Sequence, residues 1–326
     1  MTDLRTRIPS GSDVTQRTIM QPAFSFDPLE QVLTRANLQA AWKHVRANKG
    51  AAGIDGLTID AFPAWAREGH WQLIEEQLAA GQYRPSPVRR VEIAKPDGGI
   101  RLLGIPTIAD RVIQQAIAQV LTPIFDPTFS DNSFGFRPGR NGQQAAKQVQ
   151  SIIKEGRRFA VDVDLSKFFD RVDHDLLMTH LSRKVMDKRL LKLISRYLRA
   201  GIMDKQCFIE SREGVPQGGP LSPLLANILL DSLDKELEGR GHKFARYADD
   251  FTILVKSRRA GERVLHSISN YLQNRLKLII NTAKSRVVKT SQSKFLGFTF
   301  KAGRIQLHPK TLETFKQRVR ELTNRN

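Results

Sequence analysis

Cysteine is all but absent from this chain: Cys207 is the single thiol in 326 residues. One thiol can form no internal disulfide and supplies no Cys-based zinc site. Histidine is sparse too, with seven in all and none at metal-ligand spacing. No apolar run approaches the roughly 18–20 residues needed to span a bilayer. Residues 1–25 lack the apolar stretch of a secretory signal. These absences argue against a disulfide-stapled secreted module and against a helical membrane protein, so a reducing cytoplasm is the expected location. Acidic residues are also in deficit, 33 Asp+Glu against 52 Lys+Arg, for a net charge of +19. That excess predicts a polyanionic partner, because Lys and Arg that neutralise phosphates release condensed counterions. Nucleic acid is favoured over an anionic membrane surface. The length suggests two or three lobes.

The few acids are not placed at random. Phe244 to Val255 reads as a hairpin whose tip carries the adjacent pair Asp249 and Asp250. Two neighbouring carboxylates repel unless a cation sits beside them, and Mg²⁺ typically takes one or two carboxylates plus substrate phosphates. A solvated Asp-Asp turn would explain that pair alone. A second acidic strand end, Phe159 to Leu165, tips the reading towards a metal. Its Asp162 and Asp164 alternate with Val161, Val163 and Leu165, so both acids face one side of a sheet. Acids at alternate positions of a central strand are costly unless ligated or paired.

Elsewhere the pattern alternates between helices and short strands. Residues 1–27 form an expected loose arm, followed by a helix from Asp27-Pro28 and a Gly-rich loop, Asn48 to Gly56, containing Lys49. The loop lacks a P-loop ending and reads equally as an ordinary connector. A helix is expected over Ala64 to Ala80, then a hairpin turning at Pro96 to Gly99 that carries Arg89, Arg90, Lys95 and Arg101. By itself this hairpin reads as a solvated edge guarded by charges. A helix from Thr107 is expected to end before Pro123. Ser133 to Arg140 mixes aromatics with Arg137 and Arg140, which suits base stacking plus phosphate contact. Cys207 is expected as a small buried apolar residue. The glycine-dense turn Gly214 to Leu221 runs into a helix with Ser222 as the expected N-cap.

Taken together, the motifs closely resemble the reverse transcriptases, or maturases, encoded by bacterial group II introns. Six blocks occur in the family's order: Val91 to Gly99, Phe134 to Pro138, Asp164 to Phe169, Gly214 to Pro223, Arg246 to Asp250, and Phe295 to Phe298. The match covers roughly residues 28–326. The resemblance implies an α+β, right-hand polymerase fold, with an antiparallel palm sheet packed on helices. Fingers with an N-terminal extension would span 28–158 and the palm 159–308, with 309–326 leading towards a thumb expected to be missing from this chain. Asp164, Asp249 and Asp250 match the carboxylate triad. Asp164, Asp249 and the carbonyl of Leu165 would hold two Mg²⁺ ions, with Mn²⁺ as an alternative. Asp162 competes with Asp164, and the spacing to Phe169 favours Asp164.

The resemblance also implies a nucleotide site. Lys95 and Arg101 would grip the triphosphate, and Phe169 would clash with a 2′-hydroxyl. Gln217 would touch the nascent pair, and Lys284 would lie near the leaving pyrophosphate. Lys49, Arg89, Arg90, Arg137 and Arg140 are the expected nucleic-acid contacts. Implied partners are intron RNA, an RNA template with a DNA primer, and dNTPs. The apolar stripes of the N-terminal helices suit a homodimer as readily as a core. A fragment that chiefly binds intron RNA as a splicing cofactor, or a domesticated defence-associated relative, are the other readings.

Overall fold

The computed structural model describes residues 27–94 and 99–323. Lys95 and the arm before Asp27 lie outside the described residues. Asp27 caps α1 (Pro28–Leu33), its carboxylate accepting from the N–H groups of Leu29 and Glu30. Thr34 breaks that helix and caps α2 (Arg35–Ala47). The helix expected over 64–80 is interrupted: α3 (Phe62–Trp65), a π-helical turn (Ala66–His70) and α4 (Trp71–Ala79) meet at Gly69, whose φ of 92° is not helical.

The hairpin strands β1 (Val88–Ala94) and β2 (Ile100–Ile105) follow, then α5 (Ile108–Phe125) and α6 (Gly142–Lys154). Helix α5 runs through Pro123 instead of stopping before it. Proline there falls in the last turn, where little helix remains to be disrupted. A capping box between Asn141 and Gln144 starts α6. Strand β3 (Phe159–Val163) leads to a 3₁₀ turn (Phe168–Arg171), α7 (His174–Ser182) and α8 (Lys188–Leu198). Short strands β4 (Ile202–Asp204) and β5 (Cys207–Ile209) precede α9 (Ser222–Gly239). Next come β6 (Lys243–Tyr247), β7 (Asp250–Val255), α10 (Arg258–Leu276) and β8 (Arg286–Lys289). The described chain closes with β9 (Lys294–Phe295), β10 (Phe298–Lys301), β11 (Arg304–Leu307) and α11 (Pro309–Thr323).

Among the described residues the strands form three sheets. The central one, ordered β6-β7-β3-β8, is antiparallel throughout. A small antiparallel sheet joins β9, β10 and β11. The hairpin β1–β2 is extended by a parallel pairing of β1 with β4, giving the order β2-β1-β4-β5. Cys207 therefore sits exposed on an outer strand, not buried as expected. A three-residue strand at a sheet edge has too little cover to hide it. Ser222 is the first residue of α9 rather than its cap. Its hydroxyl donates to Pro216 O (2.6 Å) instead of accepting from the helix.

Buried side chains from α1, α2, α5, α7, α8, α9 and α10 share one core with β3 and β7. Within it Asp110 ties three elements together. Its carboxylate accepts from Tyr83 (2.8 Å), Tyr197 (3.1 Å), Thr107 (2.7 Å) and Ser86 N (3.2 Å). Burial pushes this carboxyl upward, and the hydrogen bonds, that of Thr107 first, oppose the shift. Among the described residues no helix is long and apolar enough to cross a membrane.

Candidate active site

The carboxylates converge because β3 and β7 are neighbours. Asp162 pairs with Thr252 and Val163 with Phe251, so the residue that follows β3 lies beside the start of β7. Asp162 is already engaged: its Oδ1 accepts from the hydroxyls of Thr252 (3.0 Å) and Ser293 (2.9 Å). Asp164, one residue beyond the strand, has its backbone fixed by the 279–285 segment. Asp164 N donates to Ser285 Oγ (3.0 Å), Asn281 N donates to Asp164 O (2.8 Å), and Leu165 bridges to Ile280. The same segment carries Lys284.

The β6–β7 turn, Ala248-Asp249, is held from below by a wholly buried network. Ala248 sits at φ 57°, a left-handed conformation uncommon for a residue with a Cβ. Arg246, fully buried, donates from Nε to Asp234 Oδ1 (2.7 Å) and from Nη2 to Asp234 Oδ2 (2.5 Å). Its Nη1 donates to Ala248 O (2.9 Å) and to Asn227 Oδ1 (2.9 Å), and Asn227 Nδ2 donates to Gly135 O (2.8 Å). Gly135 packs directly beneath the turn, where a Cβ would lie 2.3 Å from Ala248 N. Backbone cannot yield as a flexible side chain can. Gly135→Ala is therefore expected to cost about 1–3 kcal/mol in urea unfolding and to displace the turn.

Above the carboxylates opens a cleft of about 1260 Å³. Asp164, Leu165, Asp249, Arg101, Phe169, Gln217 and Lys284 all line it. The expected catalytic and nucleotide-binding residues thus meet in one cavity, except two. Lys95 lies outside the described residues. Asp250 begins β7 but does not line the cleft, and its carboxylate accepts from the backbone of Leu296.

The expected nucleic-acid contacts divide differently. Arg137 is a correction, because this arginine is buried. It donates to Asp126 Oδ1 (2.7 Å), Asp126 O (2.9 Å), Ser130 O (2.6 Å) and Ser133 O (2.9 Å). It shapes the loop before α6 and has no surface to offer a phosphate. Arg89 is turned onto Ala52 O (2.7 Å), Arg90 onto Asp204 (3.1 Å) and Arg140 onto Asp131 (2.6 Å). Lys49 is exposed beside Asn48 and Gly50, which line the cleft. Arg111, which the sequence pattern placed only within a helix, donates to Ala51 O and also lines the cleft. With Arg89 it anchors the Gly-rich loop to the body, a role with no local sequence signal.

Electrostatics at the cleft favour a cation. Burial pushes the Asp249 carboxyl up and Asp164 adds to the shift, while Arg101 and Arg246 oppose it. Asp250 keeps some exposed surface yet is crowded by protein, and it is pushed up to about 7 by lost hydration, then by Asp249, Asp162 and Asp164. Among the described residues no three His, Cys, Asp or Glu side chains surround a single point closely enough to hold an ion. The donors that do meet, two carboxylates and the Leu165 segment, suit a hard cation whose shell is completed by substrate oxygens.

Fold and cleft together define the fingers-and-palm class of polymerases. A telomerase structure from Candida albicans superposes with a TM-score of 0.52 at 13% identity, over 75% of this chain and 52% of that one. A telomerase structure from Candida tropicalis gives 0.53 at 15%, over 77% and 49%. The family model described as reverse transcriptase (RNA-dependent DNA polymerase) matches residues 93–300. The chain belongs to the reverse transcriptase family. It is 31% identical to Protein YkfC of Escherichia coli, over 87% of this chain and 84% of that protein. It is 30% identical to the group II intron-encoded protein LtrA of Lactococcus lactis, over 86% of this chain but only 57% of LtrA.

Proposed function

We propose that this chain is an RNA-directed DNA polymerase of the group II intron type, which adds dNTPs to a primer 3′-hydroxyl. The observation that carries the reading is the meeting of Asp164 and Asp249 in a cleft also lined by Arg101, Phe169, Gln217 and Lys284. When bound, two Mg²⁺ ions would acidify the 3′-hydroxyl and stabilise charge on the departing pyrophosphate. Asp164, Asp249 and the Leu165 carbonyl would hold them. Arg101, exposed on β2, would grip the triphosphate together with Lys95. Phe169 would bar a 2′-hydroxyl, and Gln217 would contact the nascent pair. Lys284 would face the pyrophosphate. Asp250 would buttress charge and geometry from beside the cleft.

Fingers over 28–158 and palm over 159–308 fit this assignment. Intron RNA and a primed RNA template fit the +19 charge. The same charge favours a second reading, in which the chain acts chiefly as an intron-RNA-binding splicing cofactor. Primer extension on RNA with Mg²⁺ and dNTPs separates the two. The polymerase reading expects extension that EDTA abolishes and excess Mg²⁺ or Mn²⁺ restores. Tight intron-RNA binding with no extension would replace it by the cofactor reading.

A further inference from the structure

The 3₁₀ turn that carries Phe169 is stitched to the glycine-dense segment entering α9. Gly214 N donates to Val172 O (2.8 Å) and Val215 N donates to Phe169 O (2.7 Å). Gly214 has a φ of 90°, and a Cβ there would lie 3.0 Å from the carbonyl oxygens of both Phe169 and Asp170. The segment is also fixed at its far end. Gly104 N donates to Gln217 O (2.7 Å), and Ser222 Oγ donates to Pro216 O (2.6 Å). Phe169 and Gln217 are therefore presented to the cleft by two strips of backbone that are bonded to each other.

One side chain locks that bond pattern from behind. His174, the first residue of α7, is 5% exposed, and its Nε2 lies 2.7 Å from Gly214 O. A carbonyl oxygen only accepts, so Nε2 carries a proton and donates it to Gly214 O. The ring's Nδ1 is buried with no hydrogen-bond partner among the described residues. An orphaned buried polar atom is costly, and an apolar side chain here would avoid the cost. The Nε2 bond is the compensating interaction, and what it fixes is Gly214.

We infer that His174 is a positioning residue for sugar discrimination: through Gly214 and Val215 it sets the placement of the Phe169 ring against the nucleotide's 2′ position. The inference rests on the polymerase reading and on Phe169 as the residue that meets the sugar. His174 touches neither nucleotide nor metal in this role. Its loss acts by letting the 3₁₀ turn relax away from the cleft. The ring then tolerates a 2′-hydroxyl, while the carboxylates, held by separate contacts, stay in place.

The test is single-nucleotide extension on a primed RNA template, measuring kcat and KM for a dNTP and for the matching rNTP. Wild type, His174→Leu, His174→Gln and Phe169→Ala would be compared. For His174→Leu, rNTP kcat/KM is expected to rise about tenfold, the scale on which a pocket discriminates one small group, while dNTP kcat/KM changes little. His174→Gln keeps a donor near Nε2 and is expected to restore discrimination. A merely structural role predicts a different result: both substrates slow together and their ratio holds. With Phe169→Ala relaxed as expected, an unchanged ratio in His174→Leu overturns the inference alone. If Phe169→Ala leaves discrimination intact, the sugar-reading assignment falls and the inference with it. No extension by wild type overturns the polymerase reading beneath both. Should His174→Leu fail to fold, His174→Asn, whose shorter side chain leaves the Gly214 bond unmade, carries the same expectations.

Discussion

Asp249→Ala is expected to reduce primer extension on RNA by about three orders of magnitude or more, while RNA binding persists. Asp249 occupies the tip of the β6–β7 hairpin and lines the cleft with Asp164. Removing it leaves Asp164 as the one cleft-lining carboxylate of the expected pair. The loss should appear in kcat, because binding of the nucleic acid draws on the wider basic surface. Asp162→Asn makes the contrast. Asparagine retains an Oδ1 acceptor for Thr252 and Ser293, so near-normal extension is expected. Normal extension by Asp249→Ala, or collapse in Asp162→Asn with Asp164→Asn active, would move the metal-binding role to other acids.

Arg246→Met should be the most damaging substitution away from the cleft. It leaves Asp234 ionisable and fully buried without its cation, and it removes the donor to Ala248 O beside Asp249. Breaking one side of a buried pair costs about 3–5 kcal/mol, a large share of the ~5–15 kcal/mol that holds a typical domain together. Urea unfolding should register that loss. Replacing both partners, as Arg246→Met with Asp234→Leu, should recover much of the stability, since no buried charge is then stranded. Extension should stay impaired in the double variant, because Ala248 O and Asn227 still lack their donor. Full recovery of activity with stability would show that the pair supports the fold and does not place the turn.

Several helix starts and the hairpin carrying Asp249 were legible from local pattern. Asp27-Pro28 and Thr107 start helices where the residue types place them. The strand carrying Asp162 and the hairpin carrying Asp249 show their periodicity over a few residues. Less legible were effects set by distant neighbours. Ser222 resembled an N-cap until Pro216 O took its hydroxyl. Arg137 resembled a surface cation, yet Asp126, Ser130 and Ser133 enclose it. Cys207 resembled a core residue, but the parallel β1–β4 pairing leaves its strand at an edge.

By itself the sequence determined the chemistry available to this protein: its cationic excess, the ordered motif blocks, and acids placed at strand ends. Those follow from residue type and short spacing, which act over a turn of helix or a few residues of strand. The tertiary structure decided which of those acids face the cleft. Alternation puts Asp162 and Asp164 on one side of the strand and the spacing to Phe169 favours Asp164, but it is the register of β3 against β7, with Ser293 arriving from beyond β8, that commits Asp162 to hydroxyls and leaves Asp164 lining the cavity. Register and long-range hydrogen bonds are settled by how faces bury against one another, a property of the assembled sheet that no local stretch of sequence contains.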